Sequence, residues 1–411
     1  VFVIDGLVRH RQLQRKPGTK ADHPARLLRA LDLASGKILW ETTDVAPTHS
    51  SLWAKAGVVL STIQPYSRAM EDPQVAKVNG GARAYAADTG KGLWQVAKLQ
   101  KCSPVLVNGI AHLPAAHDLH TGKPVLDKDP LSGNDRAYVP AMRRACSVFS
   151  GSPSLIMSRG GSLGFYDLEQ RDIVYHYPIL RAGCWINMIP AGGLVVIPEG
   201  SSSCVCAYNY KASMALVHAD RQHHYGTVRA RGIKAATSLR LNLGAPGDRH
   251  DAEGRVWFGY PRPVAYGRPL CHAKYGPKYG GVKKLPVTFL PKGAKPETVS
   301  RHADALAAER DTIPWLDAAG VRLPVSLQLQ LNTKRAPRYR VTMRLRSTSR
   351  DTSRITVLCQ GSSVLDSIEV GPTTRVETFV VAVPSGKLSL ACRSATPNVI
   401  LSGLEVSPAR P

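Results

Sequence analysis

Four cysteines, Cys146, Cys184, Cys204 and Cys206, fall within 61 residues of a 411-residue chain that holds eight. Thiols at that density support two chemistries, coordination of a metal or oxidation to cystine. Structural zinc sites draw on Cys or His pairs about two to four residues apart, so that one loop wraps the ion. Only Cys204 and Cys206 are near neighbours, with a single residue between them. On strand geometry both would point to one face, where either could meet Cys146 or Cys184 on an adjacent strand. Disulfides within this block are expected over a metal site, with buried thiols as the remaining alternative. Cys359 and Cys392, in RITVLCQG and KLSLACR, are expected to tie two strands or sheets of a second unit, with two buried thiols as the alternative, and Cys102 and Cys271 complete the even count.

Asp32, Asp118 and Asp167 recur ahead of turns, with Gly36, Gly90 and Gly122 at matching places in three of the copies. A carboxylate there could serve as a base, but it can also accept hydrogen bonds from the turn backbone, and this second role is the expected one. His117 and His120 flank one of these turns, and His223 and His224 sit in ADRQHHYG. They could bind metal or move protons, although solvated loop histidines are the commoner case. Asp248, Arg249, His250 and Asp251, in GDRHDAEG, could hold a carboxylate–histidine dyad. No nucleophile in oxyanion-hole context accompanies them, so Asp–Arg pairs bracing a turn are expected. A GxSxG nucleophile elbow, GxxxxGK[ST], HExxH and a strand-to-helix GxGxxG are not found; the GGSLG string that holds Gly160, Gly161 and Gly164 reads as part of a hairpin. Glycosidase chemistry needs only two carboxylates brought together in space, and stays open.

Lys and Arg number 54 against 30 Asp and Glu, a formal charge of +24. Such a field attracts nucleic acid, anionic lipid or acidic polysaccharide. The cations are dispersed and aromatics amount to 6%, without the interleaving of a single-strand-binding surface or a recognition-motif signature, which disfavours nucleic acid. No apolar run approaches the roughly 20 residues of a membrane helix. The opening VFVIDGLV reads as a strand and not as a signal peptide, so a preceding segment is expected to have been cut away.

Three stretches must position these residues: Leu31–Trp40 (LDLASGKILW), Tyr85–Trp94 (YAADTGKGLW) and Asp118–Lys123 (DLHTGK). Each sets an apolar strand before a turn and resumes with Lys, the pattern of a tight β-hairpin. Trp40 and Trp94 follow their glycines by four residues. Units of this kind cannot bury their faces alone, so they imply stacked blades. The hairpin resembles the repeats of quinoprotein-like propellers, a superfamily holding PQQ-dependent alcohol dehydrogenases and non-enzymatic outer-membrane assembly scaffolds. Residues 143–216 resemble the Cys-bearing late blades of planctomycete PQQ-like repeat proteins. The matching residues are Cys146, the Tyr166–Leu168 turn, Gly183 with Cys184, Pro190–Leu194 and Cys204–Tyr208. Leu241–Pro261 is similar to the closing loop of those proteins. The resemblance implies a propeller over residues 1–265, of about seven or eight blades and incomplete at its N-terminus. Its enzymes would bring PQQ and calcium, but their calcium ligands, Asp base and vicinal cysteine pair find no match here, so no cofactor is expected.

Pro, Gly and Lys dominate the next stretch, read as a linker over 266–320 with a short helix at Val299–Arg310. From Val321 to the end, VSLQLQL, YRVTMRLR, RITVLCQG, ETFVVAV, KLSLACR and NVILSGLEV alternate with period two. That pattern argues a β-sandwich over 321–411. It resembles malectin-like domains at Tyr339–Leu345, Arg354–Leu365 and Pro397–Val406, with Arg346 beside Leu345 replacing the family's usual aromatic. The chain is thus expected to be all-β, a propeller followed by a jelly-roll sandwich. Cysteine usage and resemblance together point to a periplasmic, cell-surface or secreted binding and scaffold protein. Its partners would be carbohydrate, an acidic polysaccharide among them, or protein. The alternative is a propeller-class enzyme, a PQQ-dependent oxidoreductase or a polysaccharide hydrolase or lyase.

Overall fold

The computed structural model describes residues 1–6, 26–46, 49–63, 81–97, 104–113, 115–140, 148–159, 163–169, 171, 173–177, 182–183, 188–199, 212–217, 225–228, 230, 232–262, 282, 284–301, 313–334 and 337–409. The described residues are nearly all β, with one short helix among them. Its front half is a succession of small antiparallel sheets. The first holds β1 (Phe2–Asp5), β2 (Leu27–Leu31) and β3 (Ile38–Thr42). The second holds β4 (His49–Lys55), β5 (Val58–Ile63), β6 (Ala82–Ala86) and β7 (Gly92–Val96). The third has β8 (Val105–Val107), β9 (Ile110–Leu113) and β10 (Ala115–Asp118), followed by the ribbon β11 (Leu126–Lys128) and β12 (Asp135–Ala137). β13 (Phe149–Gly151), β14 (Leu155–Arg159), β15 (Leu163–Asp167) and β16 (Ile173–Tyr177) form the fourth, and β17 (Ile189–Ala191), β18 (Leu194–Ile197) and β19 (Met214–Leu216) the fifth. β20 (Thr227–Val228) then pairs with β16.

The second, third and fourth sheets are apolar on both faces, because successive strand residues point to opposite sides. In β5, Val59 packs toward the first sheet while Val58 and Leu60 pack toward the third. In β14, Ile156 joins the cluster with the third sheet, and Met157 the one with the fifth. Four separate clusters therefore lie between five sheets, the layering of propeller blades.

Tryptophan and glycine clamp neighbouring blades. Trp40 Nε1 donates to Ala87 O and Trp94 Nε1 to Leu119 O, both at 2.9 Å. Each indole lies flat against the glycine of the next hairpin: a Cβ at Gly90 would stand 2.5 Å from the Trp40 ring, and one at Gly122 would stand 2.6 Å from Trp94. The series then stops, since Leu126 occupies the next tryptophan place and is 55% exposed.

The second half is a sandwich. Its chain order is β21 (Leu239–Leu243), β22 (Arg249–His250), β23 (Val256–Tyr260), β24 (Val287–Leu290), β25 (Thr298–Ser300), the single turn α1 (Pro314–Asp317), β26 (Ala319–Arg322) and β27 (Val325–Gln330). β28 (Arg338–Ser347), β29 (Ser353–Cys359), β30 (Ser362–Val370), β31 (Arg375–Ala382), β32 (Lys387–Ser394) and β33 (Val399–Pro408) complete it. One sheet runs β22-β23-β21-β33-β26-β25, with β28 and then β31 on the other side of β33; the second runs β24-β27-β32-β29-β30. One large cluster, including Leu327, Val341, Val357, Leu390 and Leu404, fills the space between them.

Three expectations need correction. The boundary at 265 does not coincide with a sheet boundary, because β21 pairs with β33 and β23 with β21. The stretch 266–320 is no coreless linker: Val282, Leu285 and Phe289 are buried in the sandwich cluster, and β24 and β25 pair with β27 and β26. Its Pro and Gly content masked short alternating runs that tertiary pairing completes. Thr298–Ser300 is strand where a helix beginning at Val299 was expected, and 302–310 lie outside the described residues.

Gly36 and Gly122 share a left-handed backbone, with φ of 69° and 68°. A Cβ at Gly36 meets nothing within 4 Å, whereas at Gly122 it meets the Trp94 ring. Gly36→Ala should cost about 1–2 kcal/mol from the backbone alone, and Gly122→Ala a further ~1–3 kcal/mol from overpacking. Parallel urea titrations check this; equal losses would mean that the indole does not constrain the turn.

Candidate functional site

The repeat-turn carboxylates are occupied by backbone. Asp32 Oδ1 accepts from the amides of Ala34 and Ser35 and from Ser35 Oγ, and Asp118 Oδ1 accepts likewise from His120, Thr121 and Thr121 Oγ1. These bonds hold both carboxyls below their ordinary range. Asp167 accepts from the Glu169 amide at 2.8 Å. His117 Nδ1 bonds Gly122 O at 3.0 Å, fixing the same turn. A further copy was not singled out in the sequence: in DPLSGN, Asp129 Oδ1 accepts from Leu131, Ser132 and Ser132 Oγ. Its signal, Asp followed three and four residues later by Ser and Gly, matches Asp32 and was hidden by the missing Lys and by Pro130.

The loop Asp248–Asp251 spans the junction of blades and sandwich. Asp248 is fully buried and accepts from the Val228 amide at 2.8 Å, from the Gly259 amide at 3.0 Å and from both Arg262 Nη atoms. Asp251 accepts from the Arg255 amide, Arg255 Nε and Trp257 Nε1 at 2.7–2.9 Å. Burial works against the Asp251 carboxylate, but the bonds from Trp257 and Arg255 outweigh it and hold it below its usual range. Arg249 lies over the Trp315 ring, 5.1 Å from its centroid. Burial lowers His250 despite the surrounding carboxylates Asp251, Asp167, Asp127 and Asp248. The loop is thus a brace made of Asp–Arg pairs. Nearby, Arg136 bridges Asp127 at 3.3 Å and Asp129 at 3.6 Å, so this carboxylate pair shares a cation.

Cys359 and Cys392 are free, buried thiols, not the expected disulfide. In the β29–β32 ladder Cys359 faces Leu390 and Cys392 faces Val357, an offset of two residues. Diagonal partners of that kind stand about 7–8 Å apart, beyond disulfide reach. Burial pushes the Cys359 thiol up to about 11 and Cys392 up to about 12. Cys102, Cys146, Cys184, Cys204, Cys206, Cys271, His223, His224, Gly160 and Gly161 lie outside the described residues, while Gly164 is in β15. Among the described residues no group of three His, Cys, Asp or Glu could hold a metal, and no helix is long and apolar enough to cross a membrane.

A further polar surface is the outer face of the five-stranded sheet, where Thr288 Oγ1 donates to Phe289 O at 3.3 Å and Thr356 Oγ1 to Asp366 at 3.2 Å. Strict alternation in β27 and β32 sends Val325, Leu327, Leu329, Leu388, Leu390 and Cys392 inward, and turns Ser326, Gln328, Gln330, Lys387, Ser389 and Arg393 outward. Register lines Thr288, Gln328 and Ser389 across three strands, and sets Thr356 beside Arg393. Gln328 Nε2 reaches Ser389 Oγ at 3.4 Å, a long contact. Arg354 lies 3.5 Å from Glu369, and both are largely exposed, so that pair contributes little. The face offers amide and hydroxyl groups bordered by exposed Lys387 and Arg393.

No family model matches the chain. No curated protein matches it either. Among solved structures, a Bacteroides uniformis β-glucuronidase is similar at 10% identity and TM-score 0.29, over 42% of this chain and 18% of that one. BamB from Moraxella catarrhalis is similar at 14% and 0.27, over 42% of this chain and 50% of that one. A family 35 carbohydrate-binding module from Clostridium thermocellum gives 14% and 0.18, over 21% of this chain and 73% of that one. The chain therefore spans less than a fifth of the glucuronidase.

His112 is 4% exposed in the contact between the third and fourth sheets, and neither ring nitrogen has a bond. It meets Tyr138 edge-on at 5.8 Å, and Arg171 lies over that tyrosine. Burial first, and Arg171 second, lower it from 6.5 to about 4. The unfolded chain takes up a proton below 6.5 that the native state refuses, so stability should fall as pH drops from 6.5 toward 4, by up to about 3 kcal/mol. His112→Leu should remove that part of the slope. Urea midpoints at neutral and mildly acid pH, in both proteins, give the double difference; the same pH dependence in each would refute it.

Proposed function

We propose that the chain is an extracytoplasmic binding and scaffold protein, in which PQQ-like blades form a rigid platform and a malectin-like sandwich carries the ligand surface. The ligand class is an acidic polysaccharide. One observation carries this reading: the outer face of the β24-β27-β32-β29-β30 sheet aligns Thr288, Gln328 and Ser389 and borders them with Lys387 and Arg393. Amides and hydroxyls donate and accept in one plane, as sugar hydroxyls require. The cations add attraction for carboxylate or sulfate groups, reinforced by the field of a chain at +24. No aromatic side chain stands in these rows, so neutral sugars would lack a stacking platform. Arg346, at the place of the family's aromatic, is buried and donates to Ser347 O, which leaves it no exposed ring-like surface. The extracytoplasmic assignment is supported by the chain's cysteine usage and by its resemblance to quinoprotein-like propeller repeats.

The protein should bind polygalacturonate, alginate or heparin in preference to dextran, with affinity falling as salt rises. Lys387→Glu combined with Arg393→Glu should weaken binding at least about tenfold, since two cations become anions. Affinity electrophoresis with a reducing-end assay on the same mixtures checks both points. Equal retention by dextran would remove the anionic ligand, and new reducing ends would favour the polysaccharide hydrolase or lyase.

A further inference from the structure

The two sandwich sheets end in strands of very different character. β22 has two residues, β25 three and β24 four, each too short to template a partner strand. β30 is longer, nine residues, but its pairing with β29 shifts register twice, Ser367 stands at φ 50°, and Asp366 and Glu369 are exposed on it. Bulges, left-handed residues and charges are the usual means by which an edge refuses another strand. β31 has none of them beyond its first three residues. All eight of its residues keep unbroken register with Arg338–Leu345 of β28. Thr378–Ala382 reads TFVVA, free of charge, proline and glycine and rich in strand-forming residues. Among the described residues, no strand pairs with its other side.

Side chains beside this edge specify what it could receive. Val376 and Val380 are exposed, at 47% and 43%, on the same face as Thr378. Behind them, Arg340 stands opposite Val380 and Arg338 opposite Ala382, both exposed. A second copy of this chain would bring the same guanidinia and another +24 to the contact. An acidic strand would meet complementary charge.

We propose that β31 is an acceptor edge for an extended, acidic, β-branched peptide segment of another protein, which adds to the sheet as a further strand. The main chain of β31 supplies the hydrogen bonds, Val376 and Val380 the apolar contact, and Arg338 and Arg340 the preference for carboxylates. The surface is separate from the proposed polysaccharide face on the opposite sheet and does not depend on it.

The test uses the full chain and a short capped peptide alternating valine and glutamate. Fluorescence anisotropy should show saturable binding. N-methylation at alternate peptide nitrogens on the pairing edge should weaken it at least about tenfold, because those main-chain donors are lost. Arg340→Glu should weaken it by several-fold or more, and a lysine-for-glutamate peptide should fail to bind. Hydrogen exchange should show new protection at amides within Arg375–Ala382. Lys387→Glu with Arg393→Glu should leave peptide binding intact, which separates failure here from failure of the polysaccharide reading. No binding, equal binding of the N-methylated peptide, or protection confined to another strand would each overturn the proposal. Concentration-dependent dimerisation protecting the same amides without peptide would also overturn it, in favour of self-pairing.

Discussion

The second, third and fourth sheets of the front half each have two apolar faces, and each face must find a cover. Alternation along one strand divides its side chains between two neighbours, so Val59 belongs to one interface while Val58 and Leu60 belong to the next. No inner sheet can leave the stack without exposing both sets. Apolar packing alone would let the sheets slide, because it has no direction. The indole contacts remove that freedom. Trp40 bonds Ala87 O and lies against Gly90, and Trp94 repeats the arrangement at Leu119 O and Gly122. A ring that fits only over glycine, with its N–H aimed at one carbonyl, fixes position and orientation together.

That part of the architecture was legible because one residue type at one spacing encodes it. Trp four residues after a turn Gly is visible in sequence, and the same Gly is required both by its backbone angle and by the ring above it. Period-two alternation gave the sandwich strands from Val325 onward for a similarly local reason, since each strand is long enough to show its pattern. The stretch before it was not legible. β24 and β25 have four and three residues, and their membership in a sheet depends on partners in β27 and β26 more than on their own residues. Nor could sequence reveal β21 as a sandwich strand, since its partner β33 begins about 160 residues later. Whether Cys359 and Cys392 bond or stay as buried thiols depends on register, which the sequence does not show: an offset of two residues keeps them apart.

Among the described residues, those that suggest chemistry by type are largely structural, and the candidate surface is made of residues that suggest none. Asp32, Asp118 and Asp129 satisfy turn amides that would otherwise have no partner, and His117 does the same for a turn carbonyl. Conversely, Gln328 and Ser389 are unremarkable in sequence; they acquire meaning only when register places them in one row. A loop motif can be recognised from neighbours in the chain. A sheet face is composed of residues two apart on strands that are far apart, so its chemistry emerges with the fold.

The junction between blades and sandwich has an energetic logic of its own. β20 continues the fourth sheet through β16, yet Val228 is buried in the sandwich cluster and its amide is held by Asp248. Leu131, at the tip of the Asp129 turn, is also buried in that cluster, and Thr237 bonds its carbonyl at 2.8 Å. Burying the Asp248 carboxylate with Arg262 carries a desolvation cost that an apolar pair would avoid, so net stability is a weak reason for its presence. What the charged pair adds is direction: two amides and one guanidinium converge on two oxygens, an arrangement that a slipped junction could not satisfy. An apolar plug such as Leu131 supplies attraction without orientation, and Asp248 supplies orientation at little gain in attraction. Together they couple the sandwich to the blades by attraction and by orientation at once.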